Sequence, residues 1–336
     1  MESTDRPKEG EEGPRDALAK RRDYFSSRRF DVITRVVKAN PETGEVEFLI
    51  QPDPRRYELQ ERDGEKWLYD RFDDVYIADS AWKDLIRQAQ ETPMSYERQE
   101  EIDRADAYIA SRIDAIDEMV RGEAAPPSLR DKSQEFLRRI DESELGFVIL
   151  SLDVVDSTKH LQEIGEEAFN RIVGTILYEA SEVLPMFHGF VLAYVGDGLI
   201  AFFPEPSFMR KNDLAFDCAL TIRSLVYDAI HPSLASQGLP LLDVRIGLEA
   251  GAAPVVTTGS PDVKSQRDIR GIVVSMAKKI EGTAEPGGIR LGEATVRNLH
   301  TGWRQFLQRV DAPDDWPYRN PDGQPYGIYM VEFAQR

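Results

Sequence analysis

The stretch that most constrains this chain is residues 146–158, GFVILSLDVVDST. Phe147, Val148, Ile149, Leu150 and Leu152 run almost without a polar break, as in a strand covered on both faces. Such a strand belongs in an α/β (α+β) domain with layers packed around its sheet. It ends at Asp153, and Asp156, Ser157 and Thr158 open a long helical pattern. A carboxylate on a strand end, followed by backbone N–H groups turning into a helix, can hold a metal ion and a phosphate side by side. The simpler reading also stands at this point: Asp153 faces solvent, and Asp156 or Ser157 only caps the helix.

Residues 189–206, GFVLAYVGDGLIAFFPEP, read as two apolar strands joined at Gly196, Asp197 and Gly198, a tight hairpin signal. Taken alone, Asp197 is an ordinary turn former. A hairpin beside the first strand would bring it next to Asp153, and two close carboxylates between apolar walls need a cation to share. That is the protein half of a two-metal site for phosphoryl chemistry.

A third segment, DVRIGLEAG at 243–251, is followed by SQRDIRGIVVSMAKKIE at 265–281. With these in place, residues 145–333 resemble the class III nucleotide cyclases, the adenylate and guanylate cyclase family. Asp153 and Asp197 match the family's two metal aspartates, and Arg245 its strand arginine, which reaches the terminal phosphates. Asp268 opens a D-x-x-G match ending at Gly271, and residues 272–281 match the helix N-x-V-N-x-A-x-R-x-E. The resemblance implies a ferredoxin-like catalytic domain with helices on one face of the sheet. It also implies active sites shared across a homodimer, with the aspartates from one chain and the helix from the other.

The differences from the family bear on substrate. Adenylate cyclases carry Lys and guanylate cyclases Glu four residues before the second aspartate, where this chain has Ala193. Without a hydrogen-bonding side chain there, the usual reading of a purine edge is lost. Tyr194 follows, and this resembles the pyrimidine cyclases of bacterial antiphage Pycsar systems, in which a Tyr at that position lies in the base pocket. Ser275 stands for the family's ribose-holding Asn, and Lys279 for its transition-state Arg, which keeps the charge but loses the bidentate fork.

The resemblance therefore implies a cyclase making cyclic UMP or cyclic CMP as an antiphage signal, with UTP ahead of CTP. Two divalent cations, Mg²⁺ or Mn²⁺, would sit on Asp153, Asp197 and the Val154 carbonyl. Amides of Val155, Asp156, Ser157 and Thr158 would cradle the phosphates with Arg245, while Ala193, Tyr194 and Asp268 would surround the base. An adenylate cyclase, or a degenerate homologue that only binds nucleotide, is the alternative.

The remaining chain divides into a polar tail at 1–20, expected to be disordered, a small β-rich module at 21–90, a helical connector at 95–145 and the catalytic domain at 146–336. Strands are expected near 30–38, 45–51, 57–60, 66–69 and 75–77, with Tyr57, Trp67, Tyr69, Phe72, Tyr76 and Trp82 as the module's core. The apolar stripe of a helix at 95–119 can pack on its own domain or on a partner chain. Residues 121–127 read as a linker and 133–145 as a second helix. The catalytic domain then reads as strand 146–153, helix 159–184, hairpin 190–203, helix 212–230, strand 242–250 and helix 271–283. Shorter strands and a helix follow, around a loop at 311–325.

A charge of −18 argues against nucleic-acid polymers as partners. One cysteine excludes an internal disulfide framework and fits a reducing cytoplasm. No apolar run has the length to span a bilayer, and no signal-peptide pattern is expected at the N-terminus.

Overall fold

The computed structural model describes residues 31–39, 46–62, 64–84, 104–125, 132–140, 144–204, 211–260, 264–320 and 323–333. The expected tail, the turn at 40–44, the start of the 95–119 helix and the end of the 121–127 linker lie outside them. The chain divides into two compact units, Met1–Ser95 and Tyr96–Arg336.

In the first unit, β1 (Val32–Ala39) pairs antiparallel with β2 (Val46–Pro52). A three-stranded antiparallel sheet follows: β3 (Tyr57–Arg62), β4 (Glu65–Asp70) and β5 (Val75–Ala78). Its core is Tyr57, Leu68, Ile77 and Trp82. The buried Arg56 guanidinium lies 3.3 Å from Asp31, 2.8 Å from Asp70 and 2.9 Å from Asp73, since a charge taken out of water must be paired. The expected aromatic core is smaller than anticipated: Phe72 and Tyr76 are exposed, and Tyr76 lies under the Arg62 guanidinium at 4.0 Å.

The second unit is built on a sheet in the order β12 (Leu307–Val310), β13 (Ile328–Val331), β11 (Ile289–Gly292), β9 (Val244–Ser260), β6 (Glu144–Val154), β8 (Gly198–Phe203) and β7 (Phe190–Val195), with β10 (Lys264–Ile269) paired to the outer half of β9. Its central strand is β6 (Glu144–Val154). β6 sorts its side chains by parity: Val148, Leu150, Leu152 and Val154 enter one core, Phe147 and Ile149 another. The first core is shared with α1 (Ala105–Arg121), α4 (Glu166–Val183), α5 (Lys211–Leu225) and α6 (His231–Ser236). The second is closed by α2 (Lys132–Arg139) and α7 (Ile272–Glu281). Helices therefore lie on both faces, not one, because β6 is apolar on both and each face must be covered.

Several boundaries differ from those read in the sequence. The 133–145 helix stops at Arg139, and β6 begins already at Glu144. The 159–184 helix is two, α3 (Ser157–Ile164) and α4, broken at Gly165 with φ 81°. β9 runs from Val244 to Ser260, far past residue 250, and pairs antiparallel with β10 (Lys264–Ile269). The rest of the unit is β7 (Phe190–Val195), β8 (Gly198–Phe203), β11 (Ile289–Gly292), α8 (Glu293–Asn298), α9 (Thr301–Arg304), β12 (Leu307–Val310) and β13 (Ile328–Val331).

The connector helix packs on its own unit. Ile109, Ile116, Met119 and Val120 of α1 are buried in the first core, Arg112 grips Glu179 of α4 at 2.7 Å, and Ser233 donates to Asp117. Among the described residues no helix is long and apolar enough to cross a membrane.

Candidate active site

Asp153 is the penultimate residue of β6, on the face of Ile149 and Ser151, and stands opposite Arg245 of β9. Arg245 donates from Nη2 to Asp153 Oδ2 at 2.7 Å, and its Nε lies 3.3 Å from Glu281 Oε1. Glu281 ends α7 and accepts a long hydrogen bond, 3.4 Å, from the Ser151 hydroxyl. Burial first, then the Asp153 charge, push the Glu281 carboxyl up to about 7, while Arg245 and Lys278 pull the other way. A helix can lie this close because residue 247 is Gly: a Cβ there would stand 2.4 Å from the Ala277 oxygen and the Glu281 nitrogen.

On the other side of β6, pairing of Leu152 with Leu199 lays the β7–β8 turn against the strand end. A Cβ on Gly198 would meet the Leu152 carbonyl oxygen at 2.3 Å and Asp153 Oδ1 at 3.3 Å. Asp197 precedes Gly198 in the same turn, which lies against the end of β6 that carries Asp153, and its Oδ2 is buried without a hydrogen-bond partner. An unsatisfied buried carboxylate oxygen is costly unless something positive comes to it. Among the described residues no group of three His, Cys, Asp or Glu side chains gathers to hold an ion. The unpaired Asp197 oxygen is of the kind a Mg²⁺-type cation takes, since that ion is held by one or two carboxylates and completes its shell with main-chain, water and substrate oxygens.

The phosphate side needs one correction. The Val155 amide donates to the Asp243 carbonyl at 2.9 Å, so it has no N–H to offer a phosphate. Asp156 takes a left-handed conformation, φ 51°, at the head of α3, and no side chain caps that helix. Ser157 and Thr158 of its first turn border a cavity of about 210 Å³, with Asn170 and Asp197 among the polar walls and Leu161, Phe169 and Val173 apolar.

The base side needs another. β7 and β8 slip register between Val191 and Ala193. Ala193 then lies opposite Ile200, on the face of the second core, while Tyr194 lies opposite Leu199, on the face of the first. Tyr194 is 52% exposed, with its hydroxyl 2.9 Å from Ser181 Oγ of α4. Ser181 donates its own proton to the Leu177 carbonyl, so Tyr194 is the donor in this pair. Within this chain Tyr194 and Asp153 occupy opposite faces of the sheet.

Asp268 stands on β10 opposite Val256, 3.4 Å from the Thr258 hydroxyl that donates to it and 3.5 Å from Arg270 Nε. On α7, Val273, Met276, Ala277, Ile280 and Glu281 are buried, whereas Ser275 and Lys279 face solvent. The chain thus pairs Asp153 with Arg245, sets Asp197 on one cavity with the head of α3, and leaves Ser275 and Lys279 on an outer surface. In the sequence Glu281 stands only as the last residue of the helix motif, with no role of its own, and Gly198 only as a turn residue. Glu281 had a signal: it is the one carboxylate on the apolar stripe of α7.

No family model matches the chain. Over 205 residues it is 22% identical to the cytidylate cyclase of Escherichia coli, an alignment covering 58% of this chain and 42% of that protein. The chain therefore spans about two fifths of the length of the curated relative it matches. Among solved structures, the guanylyl cyclase Cya2 aligns with a TM-score of 0.50 at 18% identity, covering 57% of this chain and 93% of that one. The adenylyl cyclase CyaB from P. aeruginosa aligns at 0.49 and 21% identity, covering 58% and 98%.

Proposed function

We propose that this chain, which has the fold of a class III nucleotide cyclase catalytic domain, is a pyrimidine nucleotide cyclase that works as a homodimer. The observation that carries the reading is the β7–β8 turn packed on the end of β6, which brings the stretches of Asp153 and Asp197 together, with a buried Asp197 oxygen left unpaired. Two divalent cations bound there would acidify the ribose 3′-hydroxyl and offset phosphate charge.

The chain's own residues supply the rest. Asp153, Asp197 and the Val154 carbonyl would hold the cations. The first turn of α3, at Asp156, Ser157 and Thr158, receives the β and γ phosphates on its uncapped amides, and Arg245 adds charge from β9. The ribose O3′ attacks the α-phosphorus in line, an O–P bond forms, the bond to the β-phosphate bridge breaks, and pyrophosphate leaves with the 3′ proton lost to solvent. Ser275 and Lys279 are turned away from their own aspartates, so the second copy supplies them, Ser275 to the ribose and Lys279 to the charge growing on the α-phosphate.

Asp268 and Ala193 border the base. Ala193 offers no group to a purine edge, and the relative from Escherichia coli is a cytidylate cyclase. CTP is therefore placed ahead of UTP, reversing the order read from the sequence. The resemblance to the Pycsar cyclases makes an antiphage signal the expected use of the product, tested by phage challenge of expressing cells. The direct test is CTP with Mn²⁺: wild type should yield cyclic CMP and pyrophosphate. Asp153→Ala and Asp197→Ala should yield neither while melting near the wild-type temperature. Full turnover in either variant would remove the two-carboxylate site.

A further inference from the structure

Arg245 is held by two carboxylates of different character. Its Nη2 is well seated on Asp153 at 2.7 Å. Its Nε approaches Glu281 Oε1 to 3.3 Å without alignment, so that both atoms are buried and lack a hydrogen-bond partner. Glu281 is fixed: its side chain is 3% exposed, its backbone nitrogen is pressed against Gly247, and its other oxygen takes the Ser151 hydroxyl.

A cation arriving on Asp153 removes the partner that Arg245 now has and places like charge beside it. A guanidinium at 27% exposure cannot be left without an anion at small cost. A modest turn of the Arg245 side chain would line Nε–H up with Glu281 Oε1, three-tenths of an ångström beyond ordinary hydrogen-bond length. We propose that Glu281 is a positioning residue: it takes Arg245 over when a divalent cation takes Asp153, which eases cation entry and keeps the guanidinium aimed at the phosphate side. This inference rests on Asp153 being a cation ligand.

The test is Mn²⁺ affinity without nucleotide, read from the electron paramagnetic signal of the free ion, in the full chain and its variants. Glu281→Gln keeps the shape but removes the anionic alternative, so Arg245 stays on Asp153 and Mn²⁺ binding should weaken about fivefold. Ser151→Ala, which only loosens Glu281, should shift it less in the same direction. Arg245→Ala removes the competing cation and should bind Mn²⁺ as tightly as wild type or more so. In the Arg245→Ala background, Glu281→Gln should change little, because Glu281 acts through Arg245. The inference is overturned if Glu281→Gln leaves affinity unchanged while Asp153→Ala abolishes it. It is overturned as well if the Glu281→Gln loss persists at full size without Arg245, which would be a field effect of the lost charge. If Asp153→Ala does not weaken Mn²⁺ binding, the cation site itself is wrong and this inference falls with it.

Discussion

Gly198→Ala tests whether strand packing sets the spacing of the two aspartates. A Cβ at 198 would stand 2.3 Å from the Leu152 carbonyl oxygen, where real Cβ contacts essentially never fall under 3.0 Å. The obstacle is backbone, so β8 must retreat from the end of β6 by about 0.7 Å or more, at an overpacking cost of about 1–3 kcal/mol. That movement carries Asp197 away from Asp153, and a misplacement of about 1 Å at reacting groups costs about a hundredfold in rate. The expected result is a folded variant, a melting point lower by several degrees, and cyclic nucleotide formation reduced about a hundredfold. Melting curves and product mass measured on one preparation separate the two effects. Gly174→Ala on α4 is the control: a Cβ there meets nothing within 4 Å, and the change should be neutral or stabilising by about 0.5–1 kcal/mol. Near wild-type turnover in Gly198→Ala would show that the β6–β8 contact does not govern the site.

Mixing Asp197→Ala chains with Lys279→Ala chains should restore part of the activity, since some heterodimers then carry one intact site; no recovery after verified subunit exchange would argue against sharing. Tyr194→Phe should cost about 1 kcal/mol through its bond to Ser181 and leave the ranking of the four nucleoside triphosphates unchanged; a shifted ranking would return the ring to the base pocket. Burial pushes the Glu249 carboxyl up to about 8, opposed by a hydrogen bond from Tyr326. The folded chain therefore keeps a proton that the unfolded chain releases above its ordinary value near 4.5. Stability from this group is full below that value and falls as pH rises towards 8, by up to about 1.4 kcal/mol per pH unit. Glu249→Gln should flatten that slope in denaturant titrations between pH 5 and 8, and an unchanged slope would assign it elsewhere.

What the sequence made legible was whatever depends on local pattern. The unbroken apolar run of β6 foretold burial on both faces, and the Gly196-Asp197-Gly198 turn foretold a hairpin whose tip meets Asp153. Tyr194 shows the limit. Strict alternation from Phe190 would put Tyr194 on the face of Asp153, but the bulge at Val191 to Ala193 moves it to the other side, and a one-residue slip reverses every later side chain. The bulge leaves no mark in FVLAYV. β10 was missed because its residues KSQRDI are mostly polar and are held by pairing with β9, not by burial. Val155 was misassigned because its amide partner, Asp243, lies far along the chain.

The central claim is tested most directly by a competition. The chain is given equal amounts of ATP, GTP, CTP and UTP with Mn²⁺, products are resolved by mass, and pyrophosphate is counted. Cyclic CMP should lead, cyclic UMP should follow, purine products should be minor, and one pyrophosphate should appear per cyclic nucleotide. A dominant cyclic purine nucleotide would contradict the base assignment, and nucleoside diphosphate with free phosphate in place of pyrophosphate would contradict the cyclase itself.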